Sequence, residues 1–128
     1  GSSIFIKNVT IQSSKDKAIS MGEKSNAKGN SISIENSGIG ISSKDLSKFK
    51  FDDIDITNCD VAFSLFKKKS EFGPTSGIVN NVNMKGNKVD YLIEKKSFLQ
   101  INGNLIKGDI NDVKSLMYGN RWGKKTAP

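Results

Sequence analysis

Ile32-Ser33-Ile34-Glu35-Asn36-Ser37 returns 22 residues later as Ile54-Asp55-Ile56-Thr57-Asn58-Cys59. Gly40-Ile41-Ser42-Ser43 returns as Ala62-Phe63-Ser64-Leu65 and is anticipated by Ala18-Ile19-Ser20-Met21. A repeat this short, built on alternating β-branched residues and closed by Asn, Ser and Gly turns, predicts one coil of a solenoid.

Outward from that core motif, the chain aligns in about four coils. A first strand carries the period-two pairs Val9/Ile11, Ile32/Ile34, Ile54/Ile56 and Val82/Met84. A second carries Ile19/Met21, Ile39/Ile41, Val61/Phe63/Leu65 and Val89/Tyr91/Ile93. A weaker third carries Phe49/Phe51, Val79 and Leu99/Ile101. Three short strands per coil, with like residues stacked on like, predict an all-β parallel β-helix. Alternation names its inner columns, among them Ile34–Ile56–Met84 and Ile41–Phe63–Tyr91. Asn36 and Asn58 fall at one turn, where asparagine tolerates left-handed backbone. The third coil is longer by an insertion over 67–75, with Phe72 expected to anchor it and Gly73-Pro74 to turn it.

The end of the chain changes in kind. Asn111-Asp112-Val113-Lys114-Ser115-Leu116-Met117-Tyr118-Gly119 predicts a short helix with Asn111 as N-cap, Gly119 beyond its C-terminus and Val113, Leu116 and Met117 on one face. Its expected role is a lid over the last coil, sealed by Trp122. The organisation expected is a cloning remnant over 1–2, the β-helix over 3–108, and a capping helix with a basic tail over 109–128.

The 128 residues carry a net charge of +7, which favours anionic partners. There is no histidine, so the commonest general base and zinc ligand is absent. The one cysteine, Cys59, forms no intrachain disulfide and has no histidine to activate it. No apolar run approaches the roughly 20 residues that span a membrane.

The stretch from Ile4 to Ile106, on the Ile-x-Ile-x-Asn-Ser/Cys and Gly/Ala-Ile/Phe-Ser motifs, resembles the right-handed parallel β-helix repeats of the pectate-lyase-like superfamily. It looks most like the C-terminal β-helix regions of large secreted bacterial proteins. The resemblance implies an extracellular or cell-surface location and a carbohydrate ligand. Enzymes of that superfamily use clustered acids, or Lys and Arg acting on calcium-bound uronates. Here Asp52, Asp53 and Asp55 are the only acidic cluster, and Ser31/Ser33 and Asn81/Asn83 take the equivalent places in neighbouring coils. No catalytic, metal or cofactor residue is assigned on that pattern. The expected function is a non-catalytic scaffold or recognition module at the C-terminal end of a larger protein, binding acidic polysaccharide. The alternative is a fragment of a polysaccharide lyase or glycoside hydrolase.

Two surfaces are candidates for that role. Lys24, Lys44, Lys67-Lys68-Lys69 and Lys95-Lys96 follow the second strand of successive coils and predict a basic stripe for an extended polyanion, diluted by Glu23, Asp45 and Glu94. Ala18/Ser20, Gly40/Ser42 and Ala62/Ser64 predict a flat outward strip open to a partner. Nucleic acid is disfavoured, because no recognition motif is present and the aromatics fall in core columns. The first coil, open at Ile4, is expected to meet missing N-terminal coils of the parent or a second copy.

Overall fold

A computed structural model describes residues 2–68 and 73–117. Five strands stack in parallel as β1 (Ser3–Gln12), β3 (Asn26–Glu35), β5 (Lys48–Thr57), β7 (Ser76–Lys85) and β9 (Phe98–Ile101). Between them, β2 (Lys17–Met21), β4 (Ile39–Lys44), β6 (Val61–Phe66) and β8 (Val89–Ile93) stack as a second parallel sheet. The chain is therefore a parallel β-solenoid of about four turns. Ser3 pairs with Asn26, Asn26 with Lys48, Lys48 with Ser76 and Ser76 with Phe98. The long step from Lys48 to Ser76 is the one that holds the 67–75 insertion, and the register on either side of it is undisturbed.

The expected third and first strands are the two legs of one long bent strand. Asn8, Ser31, Asp53 and Asn81 sit at the bend with φ of 55°, 57°, 58° and 54°. Each is skipped in the pairing register, so hydrogen bonding continues on both legs while the direction changes. A second left-handed column, Ser13, Asn36, Asn58 and Gly86, turns each long strand toward the other sheet. Short polar side chains tolerate this backbone at a cost that β-branched residues would not.

The interior between the two sheets holds Ile34, Ile56, Phe63, Leu65, Phe51 and Leu99, all fully buried. Ile34 pairs with Ile56 and Ile56 with Met84, and Ile41 with Phe63 and Phe63 with Tyr91, so both expected columns are in register. Burying each such aliphatic contributes roughly 1.5–3 kcal/mol. At the corner above β3, β5, β7 and β9, a buried hydroxyl network joins Ser43 to Ser47 (2.7 Å) and Thr75 (2.5 Å), and Ser97 accepts from the Thr75 amide at 3.0 Å.

The last coil is closed by a reversal of direction. β10 (Asn104–Lys107) folds back antiparallel on β9, through Asn102 and Gly103 at φ 48° and 84°. Two successive positive φ values give the turn that matches the twist of a tight hairpin. The helix α1 (Val113–Leu116) is shorter than expected, and its N-cap is Asp112 rather than Asn111. Asp112 Oδ1 accepts from the Ser115 amide at 3.1 Å and Oδ2 from its hydroxyl at 2.8 Å. The helix does not lie over the end of the solenoid. It lies across the outer face of β6, where Val113 and Met117 join Ile39, Val61, Phe66 and Leu92 in a second apolar cluster. Glu94 fixes it there by accepting from the Val113 amide. Gly119 and Trp122, the expected end and seal of the helix, lie outside the described residues, as does Phe72.

The hydrogen bonds from Ser115 hold the Asp112 carboxyl below its ordinary value, with Lys114 adding to the same effect. A carboxyl whose folded pKa is depressed adds stability above its unfolded pKa, and that stability is lost as pH falls through the folded value. We therefore expect the Val113 and Ser115 amide resonances to move together as pH falls below the ordinary aspartate range, ahead of core resonances. The group is exposed, so global stability should change little. Amides that stay fixed until the core unfolds would refute this cap.

Candidate functional site

The lysines of the expected stripe do not form one column. Lys44 pairs with Phe66, two positions away from the turn residues Lys24, Lys68 and Lys96. Lys24, Lys67, Lys95 and Lys96 are exposed, Lys44 and Lys68 are half-buried, and Lys69 lies outside the described residues. Acidic groups are interleaved among them. Asp45 is fully buried and its Oδ1 accepts from the Lys68 amide at 2.7 Å. Glu94 Oε1 accepts from the Lys67 amide at 3.3 Å. Lys44, Lys68, Glu23 and Asp45 line one shallow depression with Ser2, Gly22 and Ser25. Lys24, Lys44 and Lys68 are all engaged within the chain, as are Glu23 and Asp45.

The six small residues do not make a single outward strip. The pairing register passes from Ile39 to Ile41 and from Val61 to Phe63 without using Gly40 or Ala62. That skipped position turns Ala18, Gly40 and Ala62 toward the interior. Ala62 belongs to the main core, Ala18 packs against it, and a Cβ on Gly40 would stand 3.1 Å from the Ile56 methyl. Ser20, Ser42 and Ser64 do face outward. Ser20 is exposed, but Ser42 and Ser64 are buried, and Ser64 Oγ contacts the Met117 sulfur at 2.8 Å. The chain's own C-terminal segment covers the part of the strip at Ser64.

Asp53 and Asp55 line a shallow depression with Ser31, Ser33 and Asn81, at the bend of the long strands. Asp52 lies on the other leg, where its Oδ1 accepts from Asn80 Nδ2 at 3.1 Å. Among the described residues no group of three His, Cys, Asp or Glu side chains is placed to hold a metal. Cys59 is buried, and burial pushes its thiol above the ordinary value, with Asp60 adding to the effect and Ser37 opposing it. Its Sγ points to the Thr57 carbonyl at 3.6 Å, so it acts as a small packing residue of the turn.

A surface that the sequence reading passed over lies on the outer face of the first leg. Lys28 pairs with Lys50, and Lys48 stands two residues from Lys50 on the same side of β5. All three are exposed. Adjacent strands stand about 4.8 Å apart and alternate residues about 6.6–6.8 Å apart, so the three ammonium groups share one small flat area. No ion pair engages them among the described residues. Phe5 pairs with Lys28 on one side and Ile78 with Lys50 on the other, both exposed. The row one step away runs Lys7, Asn30, Asp52 and Asn80, and brings the Asp52 carboxylate to the edge of this area. The signal for this face was Lys48-Phe49-Lys50-Phe51. Its phenylalanines mark the core side, and the same alternation sends both lysines out.

No family, curated protein or solved structure matches this chain. No helix among the described residues is long and apolar enough to cross a membrane.

Proposed function

We propose that this β-solenoid is a non-catalytic recognition module of a larger secreted or surface protein, and that it binds acidic polysaccharide across the outer face of its long sheet. The observation that carries this reading is the cluster of Lys28, Lys48 and Lys50, held in register on the long sheet and, among the described residues, engaged by no acidic side chain. A rigid surface with fixed positive charges meets an extended polyanion without first ordering loops, which removes an entropic cost of binding. The turn lysines serve the same ligand less well, because Glu23, Asp45 and Glu94 are built into their corner.

The test is affinity electrophoresis against acidic and neutral polysaccharides, with product formation followed by reducing ends. The reading expects retention by acidic polymers only, weakened by salt, with no products. Exposed ion pairs contribute roughly 0.2–1 kcal/mol each. Lys28→Gln, Lys48→Gln and Lys50→Gln together should therefore weaken retention by about tenfold, with larger losses at low salt. The same three substitutions leaving retention unchanged would remove this face from the reading. Product formation would replace it with the lyase or hydrolase alternative.

A further inference from the structure

The same outer face ends in an apolar groove at the β9–β10 hairpin. Among large apolar side chains, Phe98 and Leu105 are 40% and 54% exposed, whereas Leu99 on the other side of β9 is fully buried. They line a groove of about 310 Å³ with Lys96, Ser97, Lys107 and Gly108. Among the described residues the lining contains two ammonium groups and no carboxylate.

Register fixes how these parts sit. Lys107 is the cross-strand partner of Phe98, and Leu105 that of Gln100. Gln100 in turn pairs with Ile78, and Ile78 with Lys50. The groove is thus continuous, strand by strand, with the Lys28–Lys50 cluster. Lys96 has φ 75°, which takes it out of line with β9 at the groove's other rim.

We propose that this groove is a subsite for one acidic sugar residue, with the ring's C–H face against Phe98 and Leu105 and its carboxylate held between Lys96 and Lys107. The inference rests on the reading of the long sheet as a polyanion surface and adds a position to it. The chemistry of the lining selects the ligand class. A neutral apolar ligand would leave two lysines unused at its rim. A small, fully hydrated inorganic anion would leave Phe98 and Leu105 exposed to water. A pyranose carrying a carboxylate presents an apolar face and an anionic edge on one rigid ring, and uses both. Exposed apolar area rimmed by polar groups is a common mark of a ligand site. A sugar chain that leaves the groove along the sheet passes over Ile78 to Lys50 and Lys28.

The test uses a mannuronate trimer, with mannotriose as its neutral counterpart and inorganic phosphate as the small anion, titrated into the full chain and followed by amide resonances. The trimer should shift Phe98, Leu105 and Lys107, mannotriose should bind at least tenfold more weakly, and phosphate should leave Phe98 and Leu105 unmoved. Phe98→Ala should reduce trimer affinity at least tenfold. Leu105→Ser, on the most exposed of these side chains, provides a second variant whose folding is not in question. Unchanged trimer affinity in both variants, or shifts that cluster away from the hairpin, overturns the subsite. If the acidic polymer is still retained through Lys28, Lys48 and Lys50, the broader reading survives that result. If neither trimer nor polymer binds, both fall.

Discussion

Phe63→Ala should cost about 3–5 kcal/mol and remove the central coil from the cooperative unit. Phe63 is fully buried, stands in register between Ile41 and Tyr91, and stacks on the Tyr91 ring with centroids 6.3 Å apart. Its neighbours are held by backbone ladders on both sides, so they cannot close on the space left behind. A domain of this size is stable by only about 5–15 kcal/mol. In a solenoid each coil contacts mainly its neighbours, so the damage should be unequal along the axis. Urea unfolding should show a lower midpoint and also a smaller slope, because coils that have already come apart expose no further surface. A loss under 1 kcal/mol with the slope unchanged would mean that the column relaxes around the gap.

Gly77→Val should be comparably damaging, and its effect should depend on one neighbour. Ala27, Phe49, Gly77 and Leu99 form a register column, and Phe49 is 4% exposed. The Phe49 ring lies over Gly77 so closely that any Cβ there would overlap it. Gly77 has no left-handed backbone, so the cost of a side chain is steric and local. Overpacking of this kind costs about 1–3 kcal/mol, and a direct overlap with a ring on a fixed strand belongs at or above the top of that range. Phe49→Ala alone should cost about 3–5 kcal/mol. Combined, the two substitutions exchange volumes across the strand pair, so the double variant should be more stable than the sum of the single losses by at least 1 kcal/mol. Chemical denaturation of the four proteins measures this directly. Additive losses would show that the ring can swing clear of position 77.

The alternation of Ile32, Ile34, Ile54 and Ile56 was enough to place the coils and their inner columns, because side-chain direction in a strand has a period of two. The same rule holds for Ser42 and Ser64, which face outward, and fails one step earlier at Gly40 and Ala62, which turn inward. One skipped register position reverses which residues face inward, and glycine and alanine carry too little side chain to mark the change. The position of α1 was legible only in part. Its apolar residues were readable, but its seat on β6 depends on the Glu94 carboxylate and on Phe66, which come from distant coils. The Lys28–Lys50 face is present in the same alternation, but Phe49 and Phe51 mark that stretch as core. The Phe98–Leu105 groove needed the hairpin, and Asn102-Gly103 is its sequence mark.

The antiparallel β10 also gives the molecule unlike ends. At one end of the long sheet, β1 offers ten residues in the direction of the stack; at the other, β10 offers four that run against it. A head-to-tail arrangement, in which one copy continues the winding of the next, would bring those two mismatched strands together. Along the first leg, continuation of one copy by the next would set strands running in opposite directions side by side.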